Sequence, residues 1–446
     1  MLLETRKLLD KSFTAVGIGA ILLMIFALAG ILLPIIWKGS GAFIFKGTVE
    51  HRKIMFDLWN RGDQADLQKE LKLVEKIRAP LFAKIKTFKT ELKKMPRTKR
   101  REFKNELKNL KKTLEELIGP FPGERQPVLL RQRYGCPRWD RTLIKLKEVL
   151  YITEWDYSNP EKGGIKKLIP RRKYFKNTSM ESFFPYLKEN IENIMQPHLT
   201  FYPQFLTDSA KDSHIFGGIW PELLGTIYLT LGAMLFAVPM GVIAAIYFCE
   251  FASNGPVISF LRISISTLAG VPSIVFGLFG LAFFMNTIHL PKSVLTGSLT
   301  LALLILPTII RASEEAILAV PRTYKEAALA LGGEKIYTTL TVTLPVALPG
   351  ILTGIILSMG RAAGETAPII FTAAVSVGSV LKIDQLLTNP TPSLSWNIYN
   401  LCTEHEAVDE IRHVQYGMVL ALIAVVVLLN LVAIFVRARV SSKLQN

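Results

Sequence analysis

The chain has 446 residues, half of them hydrophobic, with 53 Lys and Arg against 36 Asp and Glu and a mean hydropathy of +0.32. A net charge of +17 would suit nucleic acid, yet 37 of those cations crowd between Lys46 and Lys211, where no nucleic-acid module is recognisable. No nucleic acid is therefore expected. Cys136, Cys249 and Cys402 form neither a CxxC pair nor a metal spacing, and no GxxxxGK[ST] loop is present. Hence no metal, cofactor or catalytic residue is expected in this chain.

The first apolar run covers about Phe13 to Trp37, behind Arg6, Lys7 and Lys11. It is longer than a signal-peptide core and lacks a clear small-x-small cleavage site, so an uncleaved spanning anchor is favoured. Further runs lie near Ile219–Phe248, Ile263–Met285, Val294–Ile310, Leu348–Val375 and Val414–Val436. Six spans in all are expected, because only helices with every backbone group paired internally cross a bilayer in ~20 apolar residues. Basic residues before the first span, and Arg437, Arg439 and Lys443 after the last, favour a cytoplasmic location for both termini. Alternation then places residues 38–217 outside the cell. The expected organisation is a tail and first span (1–37), that large basic insertion, a five-helix core (218–437) with an internal loop at 312–347, and a tail (438–446).

Within the insertion, Leu67, Leu71, Val74, Leu81, Ile85, Phe88, Leu92 and Met95 recur at helical spacing. After Pro96 the pattern resumes with Phe103, Leu107, Leu110, Leu114 and Leu117, and stops at Gly119-Pro120. An antiparallel helical hairpin over 63–119 is expected, kinked or broken at Pro80, either as a solvated spacer or as a binding module. Leu143 to Trp155 alternates enough for a strand, Phe183 to Met195 reads as helix, and Gly163-Gly164 and Pro170 to Lys173 read as loop.

The internal loop carries the most specific pattern. In Pro321-Arg-Thr-Tyr-Lys-Glu-Ala-Ala-Leu-Ala-Leu-Gly-Gly, Thr323 and Glu326 have capping-box spacing, and Gly332-Gly333 can close the helix through a left-handed residue. A second short helix is expected from Glu334 to about Thr341. Small alanines and a glycine at the bend let another protein approach the backbone closely, although an ordinary helical connection has the same local features.

Glu326-Ala327-Ala328, then Gly332, then Val342-Thr343-Leu344-Pro345, closely resembles the EAA motif of ABC importer permeases, with Val342 where Ile is usual. The resemblance implies a coupling helix that docks on a cytoplasmic ATPase through Glu326, Ala327, Ala328 and Gly332. The segments Ala269 to Gly280, Leu306 to Ala316, Arg361 to Pro368 and Gly217 to Thr226 look like phosphate permeases, and Gly364-Glu-Thr-Ala-Pro368 favours the PstA type. From this follows an all-α polytopic membrane protein of the type I importer fold, bearing a large basic periplasmic insertion. The expected partners are a PstC-type permease, a PstB-type ATPase dimer that binds ATP and Mg, a PstS-type phosphate-binding protein and the lipid bilayer of a bacterial inner membrane.

Arg361 and Glu365 stand four apart, so a continuous helix would hold them on one face in the cytoplasmic half of the fifth span. They read as a substrate station, where Arg361 meets an oxyanion, or as a structural ion pair. Arg311, at the inner end of its span, either lines the path or snorkels, and Ser273 is a further path candidate. An importer for another oxyanion or small solute shares the same loop. A membrane-anchored structural or regulatory protein acting through the hairpin is the reading of a different class.

Overall fold

The computed structural model describes every residue except 1, 124–126, 157–164, 254, 406, 407, 409 and 446. The expected Gly163-Gly164 loop lies outside the described residues. The chain divides into two compact units, one comprising residues 1–42 and 203–446, the other residues 43–202.

In the 43–202 unit, β1 (Ile44–Gly47) pairs antiparallel with β4 (His198–Phe201), and β2 (Tyr151–Asp156) with β3 (Ile165–Pro170). The chain is therefore not all-α. Between the ribbons lie α2 (Val49–Trp59), α3 (Gln64–Lys94), α4 (Arg97–Ile118), α5 (Leu130–Arg133), α6 (Trp139–Leu150) and α7 (Phe183–Met195). Asp63 caps α3 by accepting from the Ala65 amide at 2.7 Å. Pro80 does not break α3, and the Tyr186 hydroxyl of α7 donates to the nearby Ile77 carbonyl at 3.1 Å. The core joins Leu81, Phe88, Leu110, Leu114 and Leu117 to Phe175, Phe183 and Leu187, with α3 closing on α7, α4 on α6, and the two arms on each other. The expected strand from Leu143 is helical as far as Leu150. Its buried residues Thr142, Lys145, Leu146 and Val149 follow the 3.6 period, and the strand begins only at Tyr151.

In the other unit, five helices among the described residues are long and apolar enough to cross a membrane. They are Asp10–Ser40, the end of α1 (Leu2–Ser40); Trp220–Phe251, comprising α8 (Trp220–Ile246) and a widened turn; Val294–Leu318; Lys335–Gly364; and Arg412–Ser442. The chain is a multi-pass helical membrane protein. The sixth expected span is not one rod: α9 (Pro256–Ala269) and the segment Ser273–Thr287, which starts with α10 (Ser273–Phe279), meet at 107°. Pro272 lacks a donor and disfavours helix at Val271, which explains the break.

Two further boundaries differ from expectation. Helix α11 (Val294–Leu318) continues seven residues beyond Arg311, which thus lies inside the helix. Helix α14 (Leu344–Gly364) stops well short of Val375: Glu365 turns out at φ −73°, ψ 133°, before the short α15 (Ala367–Thr372). Pro368 cannot donate back to the Gly364 carbonyl, so the helix ends there. Beyond it come α16 (Leu394–Thr403) and α17 (Arg412–Gln445).

Candidate coupling elbow and polar seam

After α11, Val320 is buried and α12 (Arg322–Ala330) begins. The expected capping box does not form. Pro321 occupies the cap and no side chain bonds there, the proline's fixed φ sufficing to start the turn. The exit follows the expected left-handed closure. Gly332 has φ +86°, its amide donates to the Leu329 carbonyl at 2.9 Å, and the Gly333 amide donates to the Ala328 carbonyl at 3.1 Å. The second short helix is not separate. α13 (Lys335–Thr338) runs through a widened turn at Thr339–Thr343 into α14, because Pro345 leaves the Thr341 carbonyl without its usual donor.

Nothing in α12 is buried; Glu326, Ala327 and Gly332 are exposed and Ala328 is half-buried. Around them Tyr324, Leu329, Leu331, Ile336 and Tyr337 are exposed, with Leu331 at 90%. An apolar cluster on a polar elbow is the composition of a docking surface. The elbow is anchored to the widened turn that follows α8, where Lys325 pairs with Glu250 and the Lys335 ammonium sits 5.2 Å from the Phe251 ring centroid. Neither anchor was singled out in the sequence. Glu250, a lone acid ending an apolar run, was the available signal.

Arg311 is not left to snorkel alone. Its guanidinium pairs with Glu314 at 3.4 Å and donates to Ser266 and to the Arg262 carbonyl. Arg262 reaches the Phe248 carbonyl at 2.9 Å and lies 3.8 Å from Glu314. Two arginines thus share one buried carboxylate and tie α9 to α11, leaving an excess positive charge.

Arg361 occupies the last turn of α14, about 26 Å along the helix from Leu344 at 1.5 Å per residue. The expectation of a position in the first half of the span was wrong, because the elbow helix is continuous with α14 and the helix stops at Gly364. Its Nε donates to Glu365 Oε1 at 3.3 Å, so the pair closes although Glu365 has left the helix. Ser273 is half-buried at the start of α10, whose Gly277 lies against Ala367 and Pro368. Arg311 and Arg361 therefore occupy separate polar clusters.

A seam absent from the sequence reading starts beside Glu365. On α8, Glu222, Thr226 and Thr230 repeat at four-residue spacing and are buried. The Thr226 hydroxyl donates to the Glu222 carbonyl at 2.9 Å and accepts from the Leu394 amide at 2.9 Å. Glu222 Oε1 lies 2.8 Å from His214 Nε2 and accepts from Asn397 at 3.2 Å, while the Ser395 hydroxyl donates to the Glu365 carbonyl at 3.0 Å. A cavity of about 10 Å³ lies among Thr226, Thr230, Ser393, Ser395 and Glu365. It has room for one water and none for a phosphate, so the seam is closed.

Residues 237–446 match the family of binding-protein-dependent transport system inner membrane components. The phosphate transport system permease protein PstA 1 of Mycobacterium tuberculosis (strain CDC 1551 / Oshkosh) is 36% identical over 221 residues, half of this chain and 71% of the relative. This chain belongs to the PstA permease family. The probable phosphate transport system permease protein PstA of Methanocaldococcus jannaschii is 32% identical over 58% of this chain and 84% of its own length. The probable ABC transporter permease protein YqgI of Bacillus subtilis is 36% identical over 39% of this chain, and the match spans 59% of that relative. As a PstA-family permease, the chain is a membrane component of an ABC importer.

Proposed function

We propose that the chain is one of two membrane-spanning subunits of an ATP-driven phosphate importer with the type I permease fold. A PstC-type permease completes the path, a PstS-type binding protein delivers phosphate, and a PstB-type ATPase dimer holds ATP and Mg. The observation that carries this reading is the exposed elbow: Glu326, Ala327, Ala328 and Gly332 amid unpartnered Tyr324, Leu329 and Leu331, pinned to the turn after α8 by Lys325–Glu250.

With the termini and elbow cytoplasmic, residues 43–202 face the outside. Arg361 then stands near the outer end of α14, and Arg311 lies about 10 Å inside the inner end of α11. The two guanidiniums act as outer and inner stations for the anion. Glu365 and Glu314 hold them while the path is empty, and Ser273 lines the bend between α9 and α10. A planar fork of donors suits phosphate oxygens, and the carboxylate it leaves is repelled by the incoming anion. ATP-driven movement of the elbow reaches α8 through Lys325–Glu250 and parts the closed seam at Thr226 and Ser395.

Phosphate uptake into vesicles carrying the reconstituted complex tests the reading. Arg361→Ala should abolish uptake and leave assembly intact. Unchanged uptake by that variant would overturn the assignment, and uptake insensitive to competing phosphate would point to another solute.

A further inference from the structure

We propose that the outward face of α4 is a docking stripe for inorganic polyphosphate, a linear phosphate polyanion. This inference is independent of the transport reading. Arg97, Arg101, Lys104, Lys108 and Lys112 are all exposed and follow one another at spacings of four, three, four and four. At 1.5 Å per residue they form a line about 22 Å long, with a cation roughly every 6 Å. The opposite face of the helix is the apolar row Leu107, Leu110, Leu114 and Leu117, which holds the line rigid against the core.

A merely solvated helix face intersperses charges of both signs, since like charges three or four apart destabilise the helix. Of the four acids of α4, Glu102 is exposed outside the spacing of the stripe and the other three are paired. Glu106 pairs with Arg171 at 2.7 Å, Glu116 with Lys145 at 2.8 Å and Glu115 with Lys111 at 3.3 Å. The exposed Lys86, Lys89, Lys93 and Lys94 of α3 extend the positive surface at the turn into α4.

The kind of partner follows from what the stripe lacks. Among the described residues between 74 and 127, no large hydrophobic side chain is exposed, so nothing here inserts into acyl chains or fills a protein pocket. Recognition is left to charge and line shape. A row of phosphates along a flexible chain matches both, and its binding would be driven by counterion release.

The test uses the full chain in neutral-lipid nanodiscs and end-labelled polyphosphate. Replacing all five stripe residues by Gln should weaken binding at least tenfold and flatten the dependence of log Kd on log salt by about 3.5 units, at about 0.7 per contact. A second variant, with Gln at Lys147, Lys167, Lys173, Lys176 and Lys188, removes the same charge from other exposed positions of the unit. It should weaken binding less than threefold. Equal loss in both variants would reduce the effect to net charge and overturn the proposal. So would complete competition by orthophosphate at equal total phosphate, or stripe-dependent binding to phosphatidylglycerol vesicles without binding to polyphosphate. Gel filtration and a thermal melt confirm that each variant is folded.

Discussion

Residues 43–202 bury Phe88, Phe175 and Phe183 completely and leave most of their charge outside. In the membrane unit close backbone approaches fall instead at glycines such as Gly225, Gly232 and Gly354, while Phe13, Trp37 and Leu235 face outward. The difference reflects the solvent each unit meets. Water drives bulky apolar groups inward, whereas lipid is as apolar as leucine and leaves helix association to close backbone approach. The largest expected effect tests that contrast. A Cβ at Gly225 would collide with the Pro392 carbonyl, whereas at Gly19 nothing lies within 4 Å. Gly225→Val should therefore eliminate monodisperse protein after detergent extraction, and Gly19→Val should match the parent. Equal yields would show that the glycine contacts do not govern packing.

Charge separates the units differently. In the 43–202 unit, Glu50 and Arg78 form a 3.0 Å pair and are almost wholly buried, and Arg78 also donates to the Ile118 and Ile194 carbonyls. Arg78→Met leaves Glu50 buried without its cation and the two helix ends without a donor, a loss of about 3–5 kcal/mol. The exposed Lys69–Asp66 pair is the comparison, and Lys69→Met should leave the melting temperature unchanged. Calorimetry of both variants separates buried from solvated pairing. A small effect for Arg78 would mean that water reaches Glu50.

The same unit should also respond to acid. His51 is buried against Phe45 and Tyr202, and burial, followed by the charges of Arg138 and Arg52, lowers its pKa from 6.5 to about 4. Between these values the unfolded chain binds a proton that the folded chain refuses. Its contribution is therefore fully present above pH 6.5 and lost as pH falls toward 4, a change of about 3 kcal/mol. Hydrogen exchange of residues 43–202 in the full chain should accelerate across that window. His51→Phe should remove this share of the pH dependence, and an unaltered profile would assign it to other groups.

Much of this organisation was legible because the apolar rows are long. The spacing from Leu67 to Leu117 predicted two helical arms, and the structure has α3 and α4 there. The Gly332 closure was legible too, since few residues adopt its backbone easily. Helix ends inside apolar runs were not. The break at Val271-Pro272 and the stop at Gly364 depend on single missing donors, which periodicity does not register. The seam through Glu222, Thr226 and Ser395 brings together residues more than 160 positions apart. Lys325–Glu250 likewise depends on how the elbow folds back, which no local pattern encodes.

The smallest expected effect asks where the two units should not differ. Gly332 in the elbow and Gly62 in the other unit both have positive φ, +86° and +108°, and a Cβ at either would meet nothing within 4 Å. Alanine at each then bears only the local steric penalty of left-handed backbone, about 1 kcal/mol, which does not depend on the surrounding solvent. Exchange at the Gly333 amide should speed up about fivefold in Gly332→Ala, with a similar change beside residue 62 in Gly62→Ala. In the isolated chain the two increments should agree. On the proposed docking of an ATPase at the elbow, only the Gly332 increment should grow when that ATPase is added. If both stayed equal in the complex, the exposed apolar cluster around Leu331 would not be where the motor docks.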